Sequence, residues 1–176
     1  MVLLGLKRWF EDIGISQNVI ELDWWQSEEI GQLSFTAVPV QHWSKRGLFD
    51  TNRTLWAGWV VKSPQQNLFF AGDTNYSKDF AEIGKDYGPM DLSLIPIGAY
   101  APRWFMKDMH VNPEEAVKIH LDVKSRQSIG MHWGTFLNLT EEPLLEPPKR
   151  LLQKLEKRKI NLMKFLVLEH GQTIML

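Results

Sequence analysis

The chain has 176 residues, 44% of them hydrophobic and 11% aromatic, enough for one packed core, and it contains no cysteine. A formal charge of -1 and a pI near 6.5 leave no basic footprint for nucleic acid. Without cysteine there is neither a disulfide framework nor a thiolate zinc site, so a metal would rest on His and carboxylate. The start, Met1 to Leu6 followed by Lys7 and Arg8, lacks the order and length of a signal peptide. No window reaches the length of apolar sequence that crosses a membrane. A cytoplasmic location, with peripheral membrane contact as an option, is the expectation.

Taken in chain order, Leu3, Leu4, Leu6, Trp9 and Phe10 recur at helical spacing and predict an opening amphipathic helix that stops at Gly14. Val19 to Leu22 reads as a short strand. Leu33 to Val38 alternates and reads as a second, closed by Pro39. Ser44 to Asn52 is polar and predicts a loop. Leu55 to Val61 and Asn67 to Ala71 predict a hairpin turning through Ser63-Pro64-Gln65-Gln66. Leu68, Phe69 and Phe70 are continuous apolar residues, the pattern of a strand covered on both faces.

Ser77 to Tyr87 predicts a helix, Asp91 to Ile97 a strand and Gly98 to Met109 a long loop. Asn112, Pro113, Glu114 and Glu115 form a strong helix start. Ser128 to Met131 predicts a strand, Leu151 to Lys159 a basic amphipathic helix, and Phe165 to Leu168 with Thr173 to Leu176 a closing hairpin around His170-Gly171. Strands and helices alternate without a linker, so the fold class is α/β, with helices layered on a sheet, in a single domain over 1–176.

Four side chains share one address, the end of a strand or the loop beyond it: His42, Asp73, His110 and His132. Imidazole and carboxylate suit zinc, manganese or iron(II), and a catalytic metal keeps an open position for water. Each also has a structural reading. Asp73 fits a helix cap or a turn as well as a ligand, and a lone histidine is commonly a satisfied packing group. His120 and His170 are assigned to packing, as are Trp43 and Trp133. Arg103 and Lys107, beside Trp104, Phe105 and Met106, suit a phosphate or a lipid headgroup on charge and amphipathicity.

The runs Gln41-His42-Trp43-Ser44, Phe69-Phe70-Ala71-Gly72-Asp73-Thr74, Pro96-Ile97-Gly98-Ala99-Tyr100 with Pro102-Arg103-Trp104-Phe105-Met106, His110-Val111-Asn112-Pro113-Glu114-Glu115-Ala116 and His132-Trp133-Gly134-Thr135-Phe136 together resemble the metallo-β-lactamase superfamily. More narrowly they resemble its N-acylphosphatidylethanolamine-hydrolysing phospholipase D branch. The resemblance implies the carboxyl-terminal half of an αββα sandwich and a two-zinc phosphodiesterase. In it His42 and His132 are zinc ligands, Asp73 is a catalytic carboxylate that bridges the metals, and His110 is a second catalytic residue near them, supporting the ligands or contacting the substrate phosphate. Arg103, Trp104 and Lys107 are candidate substrate contacts. The implied chemistry is attack of a metal-activated hydroxide on a phosphodiester, releasing N-acylethanolamine and phosphatidic acid. The His-x-His-x-Asp-His motif of the family is absent from the sequence. The expectation is therefore a partial site, inactive alone, in a chain that self-associates or pairs with the missing amino-terminal half. Two other readings are a hydrolase of another phosphodiester, lactone or ester on the same fold, and a non-catalytic interaction module.

Overall fold

The structure is a computed structural model and describes residues 1–136 and 139–175. Among the described residues there are nine strands and five α-helices: β1 (Val2–Leu3), α1 (Lys7–Asp12), β2 (Glu21–Leu22), β3 (Ser27–Ile30), β4 (Leu33–Val38), β5 (Gly58–Lys62), β6 (Asn67–Phe70), α2 (Asp79–Asp86), β7 (Met90–Pro96), α3 (Arg103–Met106), α4 (Pro113–Asp122), β8 (Ser125–Met131), α5 (Glu146–Lys157) and β9 (Phe165–Leu166). Strands β3 to β9 form one sheet in sequence order. The ladders are antiparallel from β3 to β6 and parallel from β6 to β9. Strands β4, β6, β7 and β8 therefore end at the same edge.

The register explains which face is core. Thr36, Val60, Phe69, Ser93, Ser128 and Phe165 are paired in turn across six strands, and all six are buried. Helices α2, α4 and α5 cover this side, adding Phe80, Ile83, Val117, Leu151 and Leu155 to the same core. Helix α4 begins as its sequence requires. Asn112 accepts from the Glu115 N–H at 2.9 Å, and Glu115 accepts from the Asn112 N–H at 3.0 Å, a complete capping box.

The opposite face of the sheet is not covered in the same way. Trp59, Phe70, Leu94 and Ile129 stand side by side across β5 to β8, half-exposed, with Phe70 itself exposed. The expectation that Leu68 to Phe70 is buried on both sides is thus corrected: an apolar run marks two apolar faces, and only one of them is packed here.

Other differences are local. The opening residues Val2 and Leu3 are a strand beside Glu21 and Leu22, and the helix starts only at Lys7. Strand β3, with Glu28 and Glu29, carries no apolar signal and exists because its backbone pairs with β4. The loop predicted over Gly98 to Met109 contains the short helix α3. Helix α5 begins five residues earlier than the apolar pattern, because Pro147 and Pro148 in its first turn need no N–H partner. The closing hairpin is not formed: β9 adds in parallel to β8, residues 173–175 are in no strand, and Leu176 lies outside the described residues.

His120 is structural, as its helical position suggests. It is 2% exposed, and its Nδ1 lies 2.8 Å from Ser128 Oγ. Burial pushes its pKa from 6.5 to about 4. Between those values the unfolded chain binds a proton that the folded chain refuses, so stability falls as pH drops from 6.5 towards 4. The full effect is about 3 kcal/mol. Urea midpoints at pH 7 and pH 4.5 should therefore separate more in the wild type than in His120→Asn. Equal separations would show that His120 does not carry the acid sensitivity.

Candidate metal centre

Three of the four polar side chains are delivered to one edge of the sheet by the strands that precede them, and His110 reaches it from the segment between α3 and α4. His42 follows β4, Asp73 follows β6, His110 precedes α4 and His132 follows β8. Gly72 has φ +65°, which lets the chain turn sharply after β6 and present Asp73. His132 has φ +59°, a conformation uncommon for a side chain with a Cβ and one that collects at functional sites.

Thr74, fully buried, ties three of these loops together. Its Oγ1 accepts the Gln41 N–H at 3.1 Å, and its carbonyl accepts the Val111 N–H at 2.8 Å. The Asn75 N–H donates to the Gln41 carbonyl at 2.8 Å. Residues adjacent to His42, Asp73 and His110 are thereby held in fixed relation. From below, Trp56 Nε1–H donates to the Val40 carbonyl at 2.9 Å. The sequence marks Thr74 only as the residue after the acid, and its role depends on loops distant in the chain.

The side chains meet as follows. His132 Nε2 is 3.3 Å from Asp73 Oδ1. The His110 ring lies between the other two imidazoles, with centroids 5.3 Å from His42 and 5.3 Å from His132. Buried His42 Nε2 and His110 Nδ1 have no hydrogen-bond partner among the described residues. The hydrogen bond from His132, and then the charge of the imidazoles, lowers the Asp73 pKa against the opposing effect of burial. Asp73 in turn raises that of His132. Burial, and then repulsion from His132, pushes His110 down to about 4, so its ring is neutral and has a lone pair to offer.

This donor set fits a metal by its chemistry: two buried imidazole nitrogens with nothing to bond and a carboxylate held as the anion. Its geometry is not closed, because among the described residues no three His, Asp or Glu side chains converge as a formed metal-binding group.

The proposed substrate contacts separate. Arg103 is engaged within the protein: its NH1 donates to the His110 carbonyl at 2.7 Å, and its NH2 pairs with Glu115 at 3.0 Å. Trp104 is 84% exposed, and Lys107 beside it is exposed too. A cavity of about 320 Å³ opens beside His132 between Trp133, Phe136, Leu139 and Pro143. A second hollow, about 340 Å³, borders His42 and Asp73 with Trp43, Lys45 and Arg46. His170, assigned to packing, rests on Trp133 with ring centroids 5.6 Å apart.

The mixed sheet, with helices on one face and His and Asp at its strand ends, is the setting of the site, and comparison with known proteins supplies the family. The chain belongs to the β-lactamase superfamily: the family described as "Beta-lactamase superfamily domain" matches residues 1–133. Within it, the chain is 45% identical over 166 residues to N-acyl-phosphatidylethanolamine-hydrolyzing phospholipase D 1 of Caenorhabditis elegans, covering 89% of this chain and 47% of that protein. It is 40% identical over 154 residues to the mitochondrial N-acyl-phosphatidylethanolamine-hydrolyzing phospholipase D of Saccharomyces cerevisiae, covering 84% of this chain and 32% of that one. Among solved structures, Igni18, a metallo hydrolase from Ignicoccus hospitalis, shares the fold with a TM-score of 0.73 at 20% identity, over 98% of this chain and 66% of that chain. The chain thus spans less than half the length of these two curated relatives.

Proposed function

We propose that this chain supplies part of the active site of a zinc-dependent phosphodiesterase acting on N-acylated phosphatidylethanolamine. The gathering of His42, Asp73, His110 and His132 at one sheet edge, with two buried imidazole nitrogens left without partners, carries this reading. The activity for which these relatives are named supplies the substrate class. His42, Asp73 and His132 are the residues that would hold zinc, with the unpartnered imidazole of His110 beside them as a further donor. Zinc there would supply Lewis acidity towards a phosphoryl oxygen and a water acidic enough to act near neutral pH.

The protein's own part is to orient and exclude. Asp73 holds the His132 imidazole by its hydrogen bond. His110, neutral and half-enclosed, offers a proton acceptor beside the two histidines. Arg103 fixes the His110 backbone through its carbonyl, and the cavity beside His132 keeps apolar surface next to the reacting edge.

Elemental analysis of the purified chain, with His132→Ala as control, tests the metal assignment. Zinc in the wild type that is lost in the variant supports it, and equal zinc in both removes it. Turnover of N-acylphosphatidylethanolamine against a water-soluble phosphodiester, in a protein that restores the length of the relatives, tests the substrate. Faster turnover of the soluble compound would favour a different hydrolase on this fold. One observation favours a second reading, a non-catalytic interaction module: the donors do not converge as a formed group. Metal-dependent turnover by the chain alone, absent in His42→Ala, would dismiss that reading.

The substrate also bears on the surface. The loops at the site edge expose Leu48, Phe49, Trp104, Phe105 and Phe136, with Phe49 85% exposed. No helix is long and apolar enough to cross a membrane among the described residues. Such side chains suit shallow insertion at a lipid headgroup boundary. Co-sedimentation with phosphatidylethanolamine vesicles is expected to fall severalfold in Trp104→Ser with Phe105→Ser, while unchanged binding would assign these residues elsewhere.

The open sheet face of Trp59, Phe70, Leu94 and Ile129 is the surface for pairing with a complementary half or with a second copy. Sedimentation of the isolated chain should be concentration-dependent and shift towards the monomer in Trp59→Ser with Phe70→Ser. Identical association in that variant would place the contact on another face.

A further inference from the structure

Immediately after β7, three consecutive backbone N–H groups converge on one side chain. The Ala99 and Tyr100 N–H groups donate to Glu142 Oε1 at 2.6 and 3.2 Å, and the Ala101 N–H donates to Oε2 at 3.0 Å. Ala99 has φ +61°, and this left-handed turn is what points successive amides to the same side. Ala99 and Tyr100 are buried, so without the carboxylate their N–H groups would be unpaired away from water. The tie is completed by the Glu141 N–H, which donates to the Ala101 carbonyl at 3.3 Å. A second bond reinforces it, because Tyr100 OH donates to Glu146 Oε1 at 2.7 Å, fastening the same turn to the start of α5.

This turn is the backing of His132. A Cβ on Gly98 would lie 2.3 Å from the His132 carbonyl oxygen, so the two backbones are in direct contact and only glycine fits. One residue earlier, the Ile97 N–H donates to the Met131 carbonyl at 3.0 Å. Glu142 and His132 also form walls of the same cavity. His132 holds a positive φ that the surrounding structure must enforce. The element packed directly behind it is the turn that Glu142 clamps.

We propose that Glu142 is a positioning residue: its carboxylate locks the turn at 98–101 against the back of His132 and so keeps that imidazole within reach of Asp73. The consequence for zinc rests on the reading of His132 as a ligand given above, whereas the placement of the ring does not. Groups that orient a metal ligand from behind commonly change metal affinity by about tenfold to a hundredfold when removed.

The test compares wild type, Glu142→Gln and Glu142→Ala by imidazole NMR at one fixed pH, by amide hydrogen exchange and by zinc titration. In Glu142→Ala the amides of Ala99, Tyr100 and Ala101 are expected to exchange faster, the His132 ring resonances to move, and zinc affinity to fall about tenfold or more. Glu142→Gln keeps one acceptor oxygen and should fall between the two. Faster exchange with His132 resonances left in place would overturn the proposal, because Glu142 would then only tie down a loop. A wild type that takes up no zinc would defeat the metal reading alone, and the resonances would still decide the role of Glu142. If Glu142→Ala does not fold, Glu142→Gln is judged on the same resonances, and their standing still overturns the proposal.

Discussion

Asp73→Asn is expected to strip the proposed centre of zinc affinity and to slow the proposed phosphodiester turnover by about a thousandfold in a protein that contains this chain and the rest of its relatives' length. A metal contributes several kcal/mol to the barrier, and about 1.4 kcal/mol is tenfold in rate. The substitution is nearly isosteric, so its effect comes from charge. The His132 hydrogen bond keeps the Asp73 pKa below its ordinary value, and the side chain is an anion at neutral pH. An amide there leaves His132 without its anionic neighbour and a metal cation without its carboxylate. Zinc content and kcat, measured together on one preparation, check the prediction. Near-normal rates with normal zinc would show that Asp73 is only the turn residue its position after β6 also allows.

Phe69→Ala should be the most damaging substitution for the fold itself. Phe69 is fully buried, is paired between Val60 and Ser93 in the central rung and meets the Phe80 ring edge-on with centroids 6.2 Å apart. Truncating such a phenylalanine costs about 3–5 kcal/mol, a large part of the roughly 5–15 kcal/mol that holds a domain. Phe70→Ala, one residue later and 37% exposed, removes far less buried surface and should cost only a fraction of that. Urea midpoints of the two variants make the comparison. Equal losses would mean that the second face of β6 is as tightly covered as the first.

These neighbouring phenylalanines show why the sequence is an incomplete guide to this chain. Periodicity and apolar runs report which residues would gain from burial, not which of them find something to be buried against. The run Leu68-Phe69-Phe70 is legible as a strand, but the helices packed on one side of the sheet decide that Phe69 is core and Phe70 is not. The same limit explains β3. Its glutamates carry no signal, and only the backbone partners offered by β4 make it a strand.

Where local chemistry is sufficient, the sequence is explicit. Asn112, Pro113 and Glu115 start a helix by short-range hydrogen bonds and preset backbone angles, and the structure contains that capping box. The turn from Ser63 to Gln66 joins β5 and β6 for a similar reason, since its own backbone bond from the Ser63 N–H to the Gln66 carbonyl, 2.9 Å, closes it.

By itself, then, the sequence determined that this is an α/β chain without cysteine, in which one aspartate and three histidines follow apolar strands or precede a capped helix. Those facts depend on neighbours within a few residues. Only the tertiary structure decided that Asp73 meets His132, that His110 stands between the other imidazoles, and that Arg103 turns inward to Glu115. It alone also decided that Thr74 and Glu142 fasten the loops around them. Each of those relations joins segments up to tens of residues apart, and it exists only because sheet register brings the strand ends to one edge.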